Sequence, residues 1–334
     1  MFRGLGIALL FTLIAVGVVF SLPTILVMNI QYEQAHGLLA VPAQFPVTVS
    51  PKNKTIVENA QVNALFDGQS SSFQAAVGNV ENVFWNIFEW LATTIAGTSW
   101  YQGVAAVNGR IVTIAPGMRK EQVASAFGNA LGWNAKQKKE FVTASASSTL
   151  PLPEGSFLPG VYILEAKTTP KEAQSLVNER FSQDILAHYG TTTAEIVPLN
   201  EALTIASLIQ REAAGPDDMR IISGIIWNRI FANMDLQIDA TVQYAKANGV
   251  ATGNWWPRIV PSDLSRTSPY NTYAHPGLPP TPISNPTVAA VLAALNPVNT
   301  PCLFYFHDDA GQFHCTDTYA EHVALLKKYF GRGK

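Results

Sequence analysis

The stretch TIASLIQREAAG, residues 204–215, sets Ile205, Leu208 and Ile209 at the spacing of one apolar helix face. One further turn along that face stands Glu212, a carboxylate where packing calls for leucine or valine. Gln210 and Arg211 point off the stripe and are expected as ordinary surface positions. A carboxyl on an apolar face is desolvated, which disfavours its charged form and raises its pKa. An acid that keeps its proton near neutrality can deliver it to a leaving group, as a general acid does in glycosidic cleavage. Two plainer roles compete: a head group in solvent where the stripe ends, or an ion pair with Arg220 or Arg229.

Outward from this helix the pattern is mixed. Gly215-Pro216-Asp217 ends it and caps the next helix, DDMRIISGIIWNRIFANM. Asp239 is placed to cap another in DLQIDATVQYAKANG. Residues 251–287 form a long Gly/Pro/Asn/Tyr-rich loop, a length that favours function over mere connection. TVAAVLAALNP reads as a helix, CLFYFHDDAGQFHC as a β-hairpin turning at Asp308–Gly311, and TYAEHVALLKKYF as a terminal helix. Upstream, GRIVTIAPGM reads as strand and turn, RKEQVASAFGNAL and NAKQKKEFVTAS as two helices, and PLPEGSFLPGVYIL as a loop into a strand. A long helix follows over TTPKEAQSLVNERFSQDILAHYG, with Thr as cap and Pro in its first turn. The fold class is α+β, with a small module over residues 103–165 and a larger domain over 166–334.

Residues 4–28 carry no charge and exceed the roughly 20 residues that cross a bilayer as a helix. They read as a single-pass membrane anchor, spanning residues 5–28, with the rest of the chain outside the cytoplasm. A cleaved signal peptide is the competing reading. Residues 29–102 form a juxtamembrane region, beginning with an extended, polar linker and including an aromatic-rich helix over 80–97. The chain has 14% charged residues and a formal net charge of −2, so nothing favours a nucleic-acid partner. Its two cysteines, Cys302 and Cys315, face each other across the hairpin. A disulfide fits a location outside the cytosol, and two free thiols fit a reduced one. His307 and His314 lack the spacing of a structural zinc site, and neither a metal nor a cofactor is implied.

Several ordered motifs resemble the YceG-like family of membrane-anchored, MltG-type lytic transglycosylases. They are LTIASLIQREA, ISGIIWNRI, MDLQIDATVQY, SPYNTYAHPGLPPTPISNP, ALNP and the Glu321-His322 pair. TIAPGM and LPEGSFLPGVY resemble the family's smaller, LysM-like module. The resemblance covers about residues 103–330 and places the family's catalytic glutamate on Glu212, with Gln210 in place of the first acid of its triplet. It implies a single-acid mechanism on peptidoglycan glycan strands, closing a 1,6-anhydro ring without consuming water. Cell-wall synthases are the candidate protein partners.

Asn228, Gln237, Asp239, Thr241 and the run Tyr270-Asn271-Thr272-Tyr273 are the polar and aromatic side chains expected in the sugar groove. Each taken alone also fits a structural role. Asp239 is the one motif acid that could act as a hydrolase's second carboxylate, and it reads more readily as a cap and groove acceptor. Residues 29–100 match no upstream module of the family, and His314 and His275 are given no catalytic role. A membrane-anchored peptidoglycan-binding scaffold with little catalysis is the alternative to an enzyme.

Overall fold

The computed structural model describes residues 44–64, 66, 109–143, 154–248 and 253–331. Its first segment departs from the linker expected there. Val49–Ser50 (β1) pairs antiparallel with Thr55–Ile56 (β2), and the segment docks on the main core through Phe45 N–H to His188 O (2.8 Å) and Thr48 N–H to Leu295 O (3.1 Å). Phe45 and Val49 are buried and Val47 packs beside them. Their alternation along a strand supplies the apolar face, and the neighbouring prolines hide it in the sequence.

The small module is a strand, two helices and a strand. Gly109–Ile114 (β3) pairs antiparallel with Gly160–Glu165 (β4), and Lys120–Leu131 (α1) and Ala135–Val142 (α2) lie between them in the chain. Asn134 caps α2 by accepting from the Gln137 N–H at 3.0 Å. Phe127, Trp133, Phe141 and Tyr162 fill this core. Pro170–Phe181 (α3), capped by Thr169 with proline at its start, gives Ala173 and Val177 to the small core and Phe181 to the large one. The helix following residue 165 is therefore shared between the two.

Thr191–Ile196 (α4), Leu199–Glu212 (α5), Pro216–Phe231 (α6), Asp239–Ala247 (α7) and Val288–Leu295 (α8) build the large domain. Ile205, Leu208 and Ile209 of α5 are fully buried, as predicted, against α8, whose residues 290–295 are buried on every side. Truncating one such side chain to alanine costs about 2–5 kcal/mol. Gly224 lets α6 meet the segment that follows α8: a Cβ there would lie 2.3 Å from Val298 O. Phe304–His307 (β5) and Phe313–Thr316 (β6) form the hairpin, closed by a Cys302–Cys315 disulfide, and Tyr319–Phe330 (α9) follows. The disulfide settles the alternative left open by the cysteine spacing. The whole is a mixed α+β chain. Among the described residues no helix is long and apolar enough to cross a membrane. The anchor expected over residues 5–28 and the helix over 80–97 lie outside the described residues.

Asn285, fully buried, joins the small module to the large domain. Its Oδ1 accepts from the Gly155 and Phe157 N–H groups, each at 2.9 Å, and its Nδ2 donates to Met118 O (2.9 Å) and Glu154 Oε1 (3.0 Å). Glu154 is buried there with its Oε1 also accepting from the Lys120 N–H, while Oε2 has no partner. Burial first, then the charge of Glu121, pushes its pKa up to about 8, against the Lys120 N–H bond and the Lys120 and Arg119 charges. An unfolded chain releases this proton near 4.5 and the folded one near 8, so this carboxyl lowers stability as pH rises between those values. Glu154→Gln keeps the accepting oxygen and never ionises. Chemical denaturation between about pH 4 and pH 9 should show a flatter loss of stability in the variant than in the native chain. An unchanged slope over that interval contradicts the assignment.

Candidate active site

Glu212 is the last residue of α5, on the stripe that the rest of the helix buries, and its side chain is half-buried. Tyr305, at the second position of β5, donates its hydroxyl to Glu212 Oε2 at 2.8 Å. Desolvation raises the Glu212 pKa, and the Asp239 charge adds to that rise. The Tyr305 hydrogen bond, the Arg211 charge and the Ala240 N–H oppose it. A carboxylate at a helix C-terminus also meets the negative end of the helix dipole, which again favours the protonated form. Neither Arg220 nor Arg229 pairs with Glu212. Arg220 donates to Asn296 O and Asn63 Oδ1, and Arg229 donates to Leu303 O, Asp235 O and Leu236 O.

The position of Tyr305 is fixed from both strands and from α6. Its strand partner in register is Cys315, the disulfide's second half, and its ring stacks on Phe313 with centroids 5.8 Å apart. Asn228 Nδ2 donates to Thr300 O at 2.6 Å and Cys302 O at 3.1 Å, and buried Arg229 Nε donates to Leu303 O at 2.6 Å. Two consecutive side chains of α6 thus hold the segment that leads into Tyr305. Further along the strand, His307 Nε2 meets Asp218 Oδ2 at 2.6 Å. Asp218 also accepts from the Ala214 and Gly215 N–H groups, so the acceptor at the start of α6 is Asp218.

Opposite this hairpin lies Asp239. The sequence places it as a helix cap, but Ile238 occupies the cap position without a side-chain bond, and Asp239 opens the helix proper. Its Oδ1 instead accepts from the Tyr273 hydroxyl at 2.6 Å. The Tyr273 hydroxyl fixes the position of this exposed side chain. Gln237 precedes it at φ +51, its N–H on Thr272 O and its side chain exposed.

The other expected groove residues divide sharply. Thr241 and Thr272 are buried and share a hydroxyl contact at 2.9 Å, with Thr272 Oγ1 accepting from the Ile238 N–H. Asn271 is buried and braces its own loop on Leu264 O and Arg266 O. Asn228 holds the hairpin's approach. These four spend their side-chain bonds on backbone groups and on one another. Tyr270 packs its ring against Tyr244 and meets Thr281 Oγ1 at 2.8 Å. Glu212, Asp239 and Tyr273 are the expected residues gathered near one another, and Tyr305 joins them unannounced. Gln210 and Arg211 are not surface positions either: Gln210 Oε1 accepts from Thr287 N and Oγ1 (3.1 and 2.9 Å), and Arg211 is half-buried against Trp256. Among the described residues no group of three or more His, Cys, Asp or Glu side chains could hold a metal ion. What the arrangement can do is donate a proton from Glu212 and take one back.

Residues 85–328 match the model of the YceG-like family. An endolytic murein transglycosylase of Bacillus subtilis is 29% identical over 240 residues, 65% of this chain and 64% of that protein. One of Streptococcus pneumoniae is 30% identical over 158 residues, 46% of this chain and 28% of that protein. This chain therefore spans less than two thirds of either relative. A crystal structure of a YceG-like protein of Listeria monocytogenes superposes with a TM-score of 0.56 at 25% identity, covering 64% of this chain and 75% of that one. The family match runs over most of the chain and contains every residue of the Glu212 site, so the chain belongs to the YceG-like family.

Proposed function

We propose that this chain is an endolytic lytic transglycosylase of peptidoglycan, with Glu212 as both general acid and general base. The observation that carries the reading is a half-buried carboxyl, raised in pKa by desolvation and steadied at one oxygen by Tyr305. The names of the relatives agree with it. Tyr305 occupies Oε2, which leaves Oε1 to carry the proton toward the substrate. That proton goes to the oxygen of the β-1,4 bond between N-acetylmuramic acid and N-acetylglucosamine, and the bond to muramic C1 breaks. Positive charge gathers at C1 as it does so, and the tyrosine-held Asp239 carboxylate favours it electrostatically. Glu212, now a carboxylate, takes the proton of the muramic C6 hydroxyl, whose oxygen closes on C1 as a 1,6-anhydro ring. Glu212 ends as it began, and no water enters.

In the same reading Gln237, Tyr270 and Tyr273 line the sugar groove, and the small module, LysM-like in its strand–helix–helix–strand order, steers the strand toward it. Residues 5–28 anchor the chain in the bacterial inner membrane with the site outside the cytoplasm. Cell-wall synthases, which produce the strand being cut, are the partners such a place implies.

Two outcomes test this. Glu212→Gln should remove 1,6-anhydro ends from digests of purified glycan strands by a factor of about 10²–10⁴ while leaving the folded circular-dichroism spectrum intact. Undiminished anhydro product in that variant overturns the assignment. The pH profile carries the second, because the reaction needs Glu212 protonated at the start. Tyr305→Phe removes a bond that favours the carboxylate, so the alkaline limb of kcat/KM should move to higher pH; Asp239→Asn removes a repelling charge, so it should move to lower pH. Limbs that stay still or move the other way contradict the roles given to these two residues.

A further inference from the structure

Arg211 stands beside Glu212 in the chain and is unlike the other packed arginines. Arg119 bonds Tyr244 O and Asn248 Oδ1, Arg180 bonds Val161 O and Asp184, Arg220 bonds Asn296 O and Asn63, and Arg229 bonds three backbone carbonyls. Arg211 is half-buried, its Nε is buried without a partner, and among the described residues no carboxylate lies within ion-pair distance of it. Burial lowers its pKa, a sign of the same desolvation. Keeping a cation partly out of water without a direct ion pair is costly; the nearby Glu212 charge offsets part of that, and the neighbours packed on Arg211 hold it there.

Those neighbours form a platform. The guanidinium carbon lies 4.0 Å from the centroid of the Trp256 ring, and Trp256 Nε1 donates to Gln122 Oε1 at 3.2 Å, tying the ring to the small module. Gly117, at φ +76, is the other wall: a Cβ there would come within 3.3 Å of Arg211 Cδ and Nη1. A guanidinium packed over an aromatic ring keeps its in-plane N–H donors available, and that planar fork matches a carboxylate.

We propose that Arg211, seated on Trp256 beside Glu212, is a subsite for a carboxylate of the stem peptide of peptidoglycan. The proposal rests on the substrate class named above. In that substrate the muramic sugar whose C1 is attacked bears at C3 the lactyl group from which the stem peptide hangs, so an anion travels with the scissile bond. The subsite makes the chain selective for strands whose peptides carry free carboxylates over strands whose carboxylates are amides. It also gives the small module a part in selection, because Gln122 holds the platform's ring.

The test uses the full chain and two preparations of the same glycan strands, one native and one with its stem-peptide carboxylates converted to primary amides. The native chain should prefer the carboxylate strands by about 10- to 100-fold in kcat/KM, the change a charge-assisted hydrogen bond confers. Arg211→Gln should bring that ratio to about one, and Arg211→Lys, which keeps the charge and loses the fork, should leave an intermediate ratio. A ratio near one in the native chain, or an undiminished ratio in Arg211→Gln, overturns the proposal. An equal loss on both strands also overturns it, since that would mean Arg211 acts only on Glu212 or on the fold. Binding of the two strands to Glu212→Gln separates this from the cleavage reading. A binding preference with no anhydro product in the native chain preserves the subsite and rejects the transglycosylase. Anhydro product with no preference does the reverse.

Discussion

One hydrogen bond, from the Tyr305 hydroxyl to Glu212 Oε2 at 2.8 Å, joins the end of α5 to the hairpin and defines the site. Burial alone would push Glu212 toward a permanently protonated, inert acid, and a strong charge partner would make it an ordinary carboxylate. A neutral donor on one oxygen lies between these limits. It favours the anion moderately, without the full stabilisation of an arginine, and it fixes which oxygen is free. The rest of the hairpin serves that contact. Cys315 pairs in register with Tyr305, the disulfide closes the strands just outside it, and Asn228 and Arg229 hold the chain as it enters β5.

The same acid depends on a second framework at the base of the small module. Asn285 uses all four of its bonding positions to hold residues 118, 154, 155 and 157 against the start of α8. Gln210, two residues before Glu212, takes the Thr287 hydroxyl at the N-terminus of that same helix. The helix that ends in Glu212, the small module and α8 are therefore fastened within a few residues of one another. A shift of the small module would be felt at the end of α5, and a strand guided by one would be presented to the other.

The helix of residues 199–212 was legible because its periodicity is strong, and Glu212 stood out because it broke that periodicity. The hairpin was legible from its turn residues; the cysteine spacing allowed a disulfide but left it open, and the structure closes it. Tyr305 was not: it lies 93 residues from its partner, and nothing local in an aromatic strand says which ring will meet a distant carboxyl. Amides and hydroxyls bind sugars, which makes such residues candidates for a groove, yet the same groups satisfy buried backbone. Thr241, Asn271, Thr272 and Asn228 serve that second need, and single-residue chemistry cannot separate the two. A helical wheel places Gln210 and Arg211 at the surface because it knows only one neighbour, whereas α5 is packed on more than one side. Phe45, Val47 and Val49 alternate plainly once the strand is seen, but prolines on either side made the stretch read as a linker.

A single acid that acts twice leaves a distinctive atomic record, because the ring closes through the substrate's own C6 oxygen. Cleavage of purified glycan strands in water enriched in oxygen-18, followed by mass analysis of the new muramic ends, reads that record directly. The account predicts ends lighter than hydrolytic ends by one water and free of the heavy isotope. Muramic ends that carry oxygen-18 would show that water attacks C1, and would contradict it.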